Sequence, residues 1–217
     1  MSTLTYTLIG DGSSDKALMN IIKWLIDDLY PHLPVNEYFA DFKHLKNPPR
    51  KGDINKQVRF AYDYYPFDIL IYHRDAEENT APIIDQRKEE ILGSISEEVF
   101  AEKVVCLVPV VMMESWLLFD ETSIKKAAEN KNYSGNIDLP PLNRVELISD
   151  PKSQLHNLLR VVSCKKKRSL KEFNVHKAVH LVAENITDFS PLRQLQSFKR
   201  FEHDIRICID KILNNGA

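Results

Sequence analysis

Residues 67–78, FDILIYHRDAEE, join an apolar run to a cluster of ionisable side chains. The β-branched and apolar residues 68–72 are typical of a strand that is buried on both faces of a parallel sheet. In open α/β sheets, ligands bind outside the carboxyl ends of the strands. Asp75, Glu77 and Glu78 follow this strand directly, so we predict that they lie at the functional edge of the sheet.

The composition argues against a general affinity for polyanions or membranes. The chain has 217 residues, 43% of them hydrophobic, and its 29 basic and 31 acidic side chains give a formal charge of -2. Any nucleic-acid site must therefore be a local patch. No apolar run approaches the roughly 20 residues that span a bilayer, and no basic segment leads into one, so we expect neither membrane insertion nor secretion. Cys106, Cys164 and Cys208 show no paired spacing, which fits a reducing cytoplasm.

The order of patterns along the chain predicts an α/β fold. Strand-like runs at residues 4–9, 37–40, 68–72 and 103–111 alternate with helical patterns at 18–29, 53–65 and 82–100. Such alternation is typical of a mainly parallel, Rossmann-like sheet flanked by helices. Residues 112–120 are predicted to turn into a helix that carries Trp116 toward the core.

The pattern of the sequence changes after residue 130, from alternating strands and helices to helices alone. Residues 153–160, 175–185 and 192–213 have helical patterns, and no convincing strand follows. We predict a core at residues 1–130 and, at 131–217, a C-terminal helical extension or small subdomain that packs on it.

Three predicted strand ends carry acids: Asp11 and Asp15, then Asp75 and Glu77, then Glu114. Crowded carboxylates raise one another's pKa unless a cation lies among them, and oxygen-rich sites suit Mg²⁺ or Mn²⁺. The alternative is structural: a turn cap at the first end, solvated loop residues at the second, and a lysine partner for Glu114.

The glycine-bearing turn at residues 10–15, GDGSSD, does not match the common nucleotide-binding patterns. It lacks both the G-x-G-x-x-G fingerprint and the Lys-Ser/Thr pair of the phosphate-binding loop. A helix start with Ser13 and Ser14 can hold a phosphate, but Asp11 and Asp15 oppose an anion unless a metal intervenes.

In combination these motifs resemble the Toprim domain of topoisomerases, primases and overcoming-lysogenization-defect nucleases. The first motif of that family, Glu-Gly-x-Thr/Ser-Glu, appears here as Asp11-Gly12-Ser13-Ser14-Asp15, with both acids one methylene shorter. Its Asp-x-Asp pair appears as Asp75-Ala76-Glu77, with His73-x-Asp75 as another register.

A closer resemblance is to the Toprim-like DUF4276 family of bacterial proteins. Its later Glu-x-Trp-Leu-Leu-x-Asp segment matches residues 114–120, ESWLLFD. Its C-terminal lysine, Ser-Phe pair and further aromatic are similar to Lys177, Ser197-Phe198 and Phe201. The resemblance covers nearly the whole chain.

The resemblance implies a metal-dependent nuclease or related phosphoryl-transfer enzyme. Asp11 would take the place of the general acid/base, and Asp75 would share the catalytic role. Mg²⁺ or Mn²⁺ would be held by Asp11, Asp75, Glu77 and Glu114, and would polarise a phosphate oxygen. By the same analogy the protein would act in phage defence with a partner ATPase.

Candidates for substrate contacts are the hydroxyl and basic side chains near these motifs: Ser13, Ser14, Lys16 and Arg74, with the patch Lys165, Lys166, Lys167 and Arg168. A basic patch can follow a nucleic-acid backbone, or it can be a solvated helix face. His73 is a candidate proton shuttle near neutral pH, or a simply hydrogen-bonded strand-end residue.

Two other functions stay open. One is a catalytically degenerate Toprim fold that serves as a nucleic-acid-binding or partner-binding regulatory module, which the short Asp11 favours. The other is a phosphatase-like hydrolase with Asp75 as nucleophile, although no basic and hydroxyl motif follows to support it. The sequence also leaves homo-oligomerisation open.

Overall fold

Four parallel strands form one sheet in the computed structural model, which describes residues 3–80 and 82–215. They are β1 (Leu4–Ile9), β2 (Val35–Phe39), β3 (Ile69–His73) and β4 (Val104–Leu107), in the order β2-β1-β3-β4. Tyr6 of β1 is paired in register with Glu37 on one side and Ile69 on the other. The predicted α/β class and the parallel sheet flanked by helices are confirmed, and the arrangement is consistent with a Rossmann-like layout.

Helices cover both faces of this sheet. In chain order they are α1 (Leu18–Leu29), α2 (Ile54–Tyr64), α3 (Ile83–Gly93), α4 (Glu98–Ala101), α5 (Glu121–Ala127), α6 (Pro151–Val162), α7 (Lys167–Lys171), α8 (Val175–Asn185) and α9 (Gln196–Asn215). The apolar side chains of α2, α3 and α4 form one core with one sheet face. Those of α1, α5, α6, α8 and α9 form a second, larger core on the opposite face. The sheet is thus the middle layer of three.

The alternation of β3 decides which side chains enter which core. Ile69 and Ile71 belong to the core under α1, whereas Leu70 and Tyr72 belong to the core under α2. Because successive side chains of a strand point to opposite faces, His73 lies on the α1 side. This parity directs the last residue of the strand toward the turn that begins α1.

Strand β4 is shorter than the sequence predicts. The ladder ends at Leu107, although the apolar run continues to Val111. Pro109 has no backbone N–H to donate to a ladder. Its carbonyl still accepts from Ala76 N at 3.0 Å, and Glu77 N donates to Val111 O at 2.9 Å. The loops after β3 and β4 therefore stay in backbone contact beyond the sheet.

The helices that follow residue 130 lie against the α1 face. Within residues 131–215 the structure contains helices and no strand. Leu155, Val179 and Phe198 belong to the same continuous core as Leu8 of β1. Helix α9 also packs along β4. The helical character of this region is as predicted, and the domain boundary at residue 130 stays a prediction.

None of the described helices is both long and apolar enough to cross a membrane. Cys106, Cys164 and Cys208 are free thiols. The absence of a disulfide among them agrees with their irregular spacing in the sequence.

Trp116 fixes the segment that follows β4. Residues Met113–Leu117 form a 3₁₀ helix, and Trp116 is completely buried. Its indole Nε1 donates to Ser197 Oγ at 3.1 Å, and its ring lies 5.2 Å from that of Phe198 and 6.4 Å from that of Phe201. The tryptophan motif and the C-terminal Ser-Phe pair are thus two halves of one packing unit.

We expect Ser197→Ala to lower the free energy of unfolding by about 1–3 kcal/mol, because it leaves the buried Trp116 indole N–H unpaired. Both Trp116 Nε1 and the Glu146 carboxylate bond to the Ser197 hydroxyl. Urea denaturation measures the change. Ser94→Ala is the matched control, since the exposed Ser94 hydroxyl bonds only to Glu90 O of its own helix. Equal losses in the two variants would contradict this role of Ser197.

Candidate functional site at the ends of β1 and β3

The strand order places the ends of β1 and β3 side by side at a topological switch point. The chain runs from β1 out to β2 on one side and returns past β1 to β3 on the other. Open parallel sheets bind ligands in the crevice where the strand order reverses. The sequence places Asp11 and Asp15 after one of these strands, and His73 and Asp75 at the end of the other.

Asp15 reaches this crevice from the turn after β1. It lies in the 3₁₀ helix Ser13–Ala17, is 5% exposed, and accepts a hydrogen bond from Gly12 N to Oδ2 at 2.9 Å. A β-carbon on Gly10 would come within 2.8 Å of the Asp15 Cβ. Gly10 is therefore needed for space, because the Asp15 side chain folds back over the strand end.

His73 lies between two carboxylates. The residue is 1% exposed, and its Nδ1 donates to Leu107 O at 3.1 Å. Its Nε2 is 3.8 Å from Asp15 Oδ2 and 3.5 Å from Asp75 Oδ1, and has no hydrogen-bond partner in the described chain. The bond to Leu107 O fixes the ring orientation, so Nε2 faces the crevice.

Asp75 is held by the loop that follows β4. Its Oδ1 accepts from Met113 N at 2.9 Å. The pKa of this carboxyl is raised to about 6, mainly by burial; the negative charges of Asp15 and Glu114 also raise it, and His73 and the Met113 N–H lower it. Asp75 is therefore placed to gain or lose a proton near neutral pH.

Glu114 is a buried carboxylate at the same edge. It is 1% exposed, and neither oxygen accepts a hydrogen bond within the residues that the structure describes. Lys152 Nζ, at the start of α6, lies 3.3 Å from Oε1 as an ion-pair partner. A lysine partner was one of the alternatives for Glu114, but it leaves Oε2 unsatisfied. An unpaired buried carboxylate oxygen is costly unless a cation or a donor reaches it.

The cluster holds more acceptors than donors. With Nδ1–H on Leu107 O, a neutral His73 ring has only a lone pair at Nε2, and this lone pair faces the oxygens of Asp15 and Asp75. Three acceptors in contact repel one another. The arrangement is stable when one proton lies on the imidazole or on a carboxyl, or when a cation binds there.

The donor set suits a divalent cation held by few protein ligands. No group of three or more His, Cys, Asp or Glu side chains in residues 3–80 and 82–215 is placed to hold an ion. Mg²⁺, however, is usually bound by one or two carboxylates, with water and substrate phosphate completing its shell. Asp75 and the unsatisfied Glu114 fit this role. His73, with Nδ1–H on a backbone carbonyl, has the geometry of a metal-binding histidine.

Two acids predicted as metal ligands lie to either side of this cluster. Asp11 is at the rim, where Oδ2 lies 3.7 Å from Lys51 Nζ. Glu77 is exposed, and its Oε2 lies 3.8 Å from Arg87 Nη2. The strand ends lie together as the sequence predicts, and Asp15 and His73, which the resemblance did not assign to the metal, take the central positions.

The predicted substrate-binding residues occupy several surfaces. Ser14 Oγ donates to Asp15 Oδ1 at 3.3 Å, and Lys16 lines a cleft beside Asp11. The Ser13 side chain lies outside the described part of the chain. Arg74 forms an ion pair with Glu90 of α3 at 3.0 Å.

The basic patch at residues 165–168 lies around α7. Lys165 Nζ is 2.5 Å from Glu129 Oε2 and stands over the Phe173 ring, and Arg168 Nε is 2.8 Å from Glu172 Oε1. Two of the four basic side chains of the patch are therefore paired with acidic residues. A role for the patch in substrate binding stays a prediction.

Two residues of the loops that frame the site have left-handed backbone conformations. Glu77 has φ 64° and Val111 has φ 60°. A β-branched residue in this region is an outlier, and such strain persists only where neighbouring contacts impose it. Glu77 N donates to Val111 O and Val111 N donates to Glu78 O, so the two loops hold each other in this form.

No family model, curated protein or solved structure matches this chain. The functional argument therefore depends on the geometry of the site and on the motifs of the sequence.

In buffer with chelator, Asp75→Asn should raise the free energy of unfolding at pH 8 by about 1–3 kcal/mol. The folded chain raises the pKa of Asp75 from 3.8 to about 6, so ionised Asp75 disfavours folding. This cost is absent below pH 3.8, grows as the pH rises, and is complete above about pH 6. Asparagine keeps an acceptor for Met113 N without the charge.

Urea denaturation at pH 8 and at pH 4 measures this difference, and it should shrink at the lower pH. The exposed Asp138→Asn variant serves as control, with no such pH dependence. An Asp75→Asn protein no more stable than the parent at pH 8 would contradict the model of a repelling cluster.

The backbone at Glu77 gives a separate prediction. Glu77→Gly should be more stable than Glu77→Ala by about 1 kcal/mol, since only glycine adopts positive φ without strain. At the exposed helical residue Glu89 the order should reverse, with alanine better than glycine by about 1 kcal/mol. Thermal or urea unfolding of the four variants measures both differences. If the alanine variant is more stable than the glycine variant at both positions, the backbone at Glu77 is not strained.

Proposed function

We propose that the protein is a divalent-metal-dependent phosphodiester hydrolase, a nuclease or a related phosphoryl-transfer enzyme of the Toprim-like kind. The observation that carries this proposal is the buried, donor-poor cluster of Asp15, His73 and Asp75, with Glu114 beside it, at the switch point of the sheet. Such a cluster lowers the stability of the folded chain, and destabilising groups of this kind are typical of active sites.

The proposed cation would be held by Asp75 and Glu114, with water and a substrate phosphate completing its shell. When bound, it would polarise a phosphate oxygen and offset the negative charge that builds on it. Met113 N orients Asp75, and Leu107 O orients the His73 ring. Asp15 lies on the other side of His73, with its Oδ2 3.8 Å from Nε2, and adds negative charge beside the proposed cation.

Asp11 remains our candidate general base. It stands at the rim, with a side chain 34% exposed, where water reaches it. Its exposed ion pair with Lys51 contributes little stability, so a substrate phosphate can replace Asp11 as the partner of Lys51. The position follows the first acid of the Toprim motif, and the shorter aspartate reaches less far than the glutamate of that family.

A second candidate is a catalytically degenerate fold that binds nucleic acid or a partner, such as the ATPase that the resemblance implies. The position of His73 favours it. In the register His73-x-Asp75, an imidazole takes the place of the first acid of the Asp-x-Asp pair and lies inside the cluster. An uncharged ring there lowers the negative charge available to a metal.

Purified protein incubated with mixed DNA and RNA, in Mg²⁺ or Mn²⁺ against chelator, distinguishes these candidates. We expect metal-dependent cleavage that falls at least about 100-fold in both Asp75→Asn and Glu114→Gln. Asp138→Asn, an exposed substitution of the same kind, should leave the rate unchanged. Circular dichroism and urea denaturation check that each variant is folded.

Cleavage that survives in both site variants would refute the assignment of the site. Absence of cleavage by the parent protein, together with Mg²⁺ binding in calorimetry, would favour the regulatory module over the enzyme.

A further inference from the structure

The loop after β2 carries a local positive charge beside the site. Residues 40–52 include four cationic side chains, Lys43, Lys46, Arg50 and Lys51, and one carboxylate, Asp41, in a chain whose formal charge is -2. The loop is joined to the first strand end through the ion pair of Lys51 with Asp11. A patch of this sign in a nearly neutral protein needs a reason, and an anionic ligand supplies one.

This loop forms one wall of a cleft of about 440 Å³ at the carboxyl ends of β1 and β2. Lys16, Lys43 and Lys51 line the cleft, and they outnumber the two acidic residues in its lining, Asp11 and Asp41. The cleft also has an apolar wall, formed by Phe42, Pro48 and Pro49. Phe42 is held in place by edge contacts with Phe60 at 6.3 Å and Tyr65 at 6.1 Å. Charge and a fixed apolar surface therefore face the same space.

Gln57 adds a polar group at the base of the cleft. It is 5% exposed and lines the cleft, and its Oε1 accepts from Tyr72 OH at 2.5 Å. The other polar atom of this amide is its donor, Nε2, and an amide donor can bind an acceptor on a ligand.

The dimensions limit what the cleft can hold. A volume of about 440 Å³ lies within the range of pockets that take one small ligand. Three lysines suit one or more phosphates, and an aromatic and proline wall suits a planar ring. A nucleotide has both parts, with ring atoms that accept hydrogen bonds.

We propose that this cleft binds one nucleotide unit, with its phosphates on Lys16, Lys43 and Lys51 and its base between the Phe42 wall and Gln57. As the substrate subsite of the carboxylate cluster it rests on the proposed function, but binding itself does not require catalysis. A free nucleotide and the terminal nucleotide of a strand share this chemistry.

Equilibrium binding in buffer with chelator tests the cleft without cleavage. The probes are adenosine triphosphate, a 5′-phosphorylated single-stranded octanucleotide, and inorganic tripolyphosphate, which has no base. Lys43→Gln and Lys51→Gln should each weaken binding of the first two by about tenfold, the loss of one charged contact. Lys46→Gln is the matched control from the same loop and should change affinity less than about twofold.

Asp11→Asn should act in the opposite direction and tighten binding, because it removes the carboxylate that competes for Lys51. Tighter binding of the triphosphate than of the octanucleotide would identify a free nucleotide as the ligand, and the reverse order would identify a strand end. Tripolyphosphate should bind more weakly than adenosine triphosphate if the apolar wall contacts a base.

The proposal is overturned if neither nucleotide probe binds, or if Lys43→Gln and Lys51→Gln bind as tightly as Lys46→Gln. Asp75→Asn separates this proposal from the proposed function. It should abolish cleavage but leave nucleotide binding within about twofold, because Asp75 lies outside the lining of the cleft.

Discussion

The interaction on which this site depends is the approach of His73 Nε2 to the carboxylates of Asp15 and Asp75. Three acceptors are brought together by a parallel sheet that has no freedom to separate them, since β1 and β3 are hydrogen-bonded neighbours. The Gly12 and Met113 N–H groups each donate to one of the carboxylates, and a proton or a cation would offset the repulsion that is left. The cluster is therefore suited to bind a positive charge.

Much of the fold could be predicted because hydrophobic periodicity depends on short-range pattern. All four strands were found within a few residues, and the helical region after residue 130 was recognised from the spacing of its apolar residues. The sequence predicts too long a β4, because the apolar residues continue beyond the last residue that pairs with β3. Burial and backbone pairing usually coincide, but beyond Leu107 the chain stays buried while Pro109 ends regular pairing.

The site was harder to predict, because proximity depends on side-chain direction as well as on strand order. The sequence places Asp75 and Glu114 after strands β3 and β4, which are neighbours in the sheet. It gave Glu77 the same weight as Asp75, although the left-handed backbone at Glu77 turns the loop outward to Arg87. The direction of the His73 side chain is predictable from the alternation of β3, since it points to the same face of the sheet as Ile69 and Ile71. Lys152 carries no local signal, because its contact with Glu114 depends on how α6 packs.

The histidine also changes the charge balance that a cation would meet. Asp15, Asp75 and Glu114 contribute three negative charges when ionised, and Lys152 contributes one positive charge at 3.3 Å from Glu114. A single divalent cation would then make the group neutral, with the His73 ring uncharged. An acid at position 73 would leave one negative charge over, and this excess would favour a second cation. A neutral imidazole adds no charge, so this balance would match one divalent ion better than two.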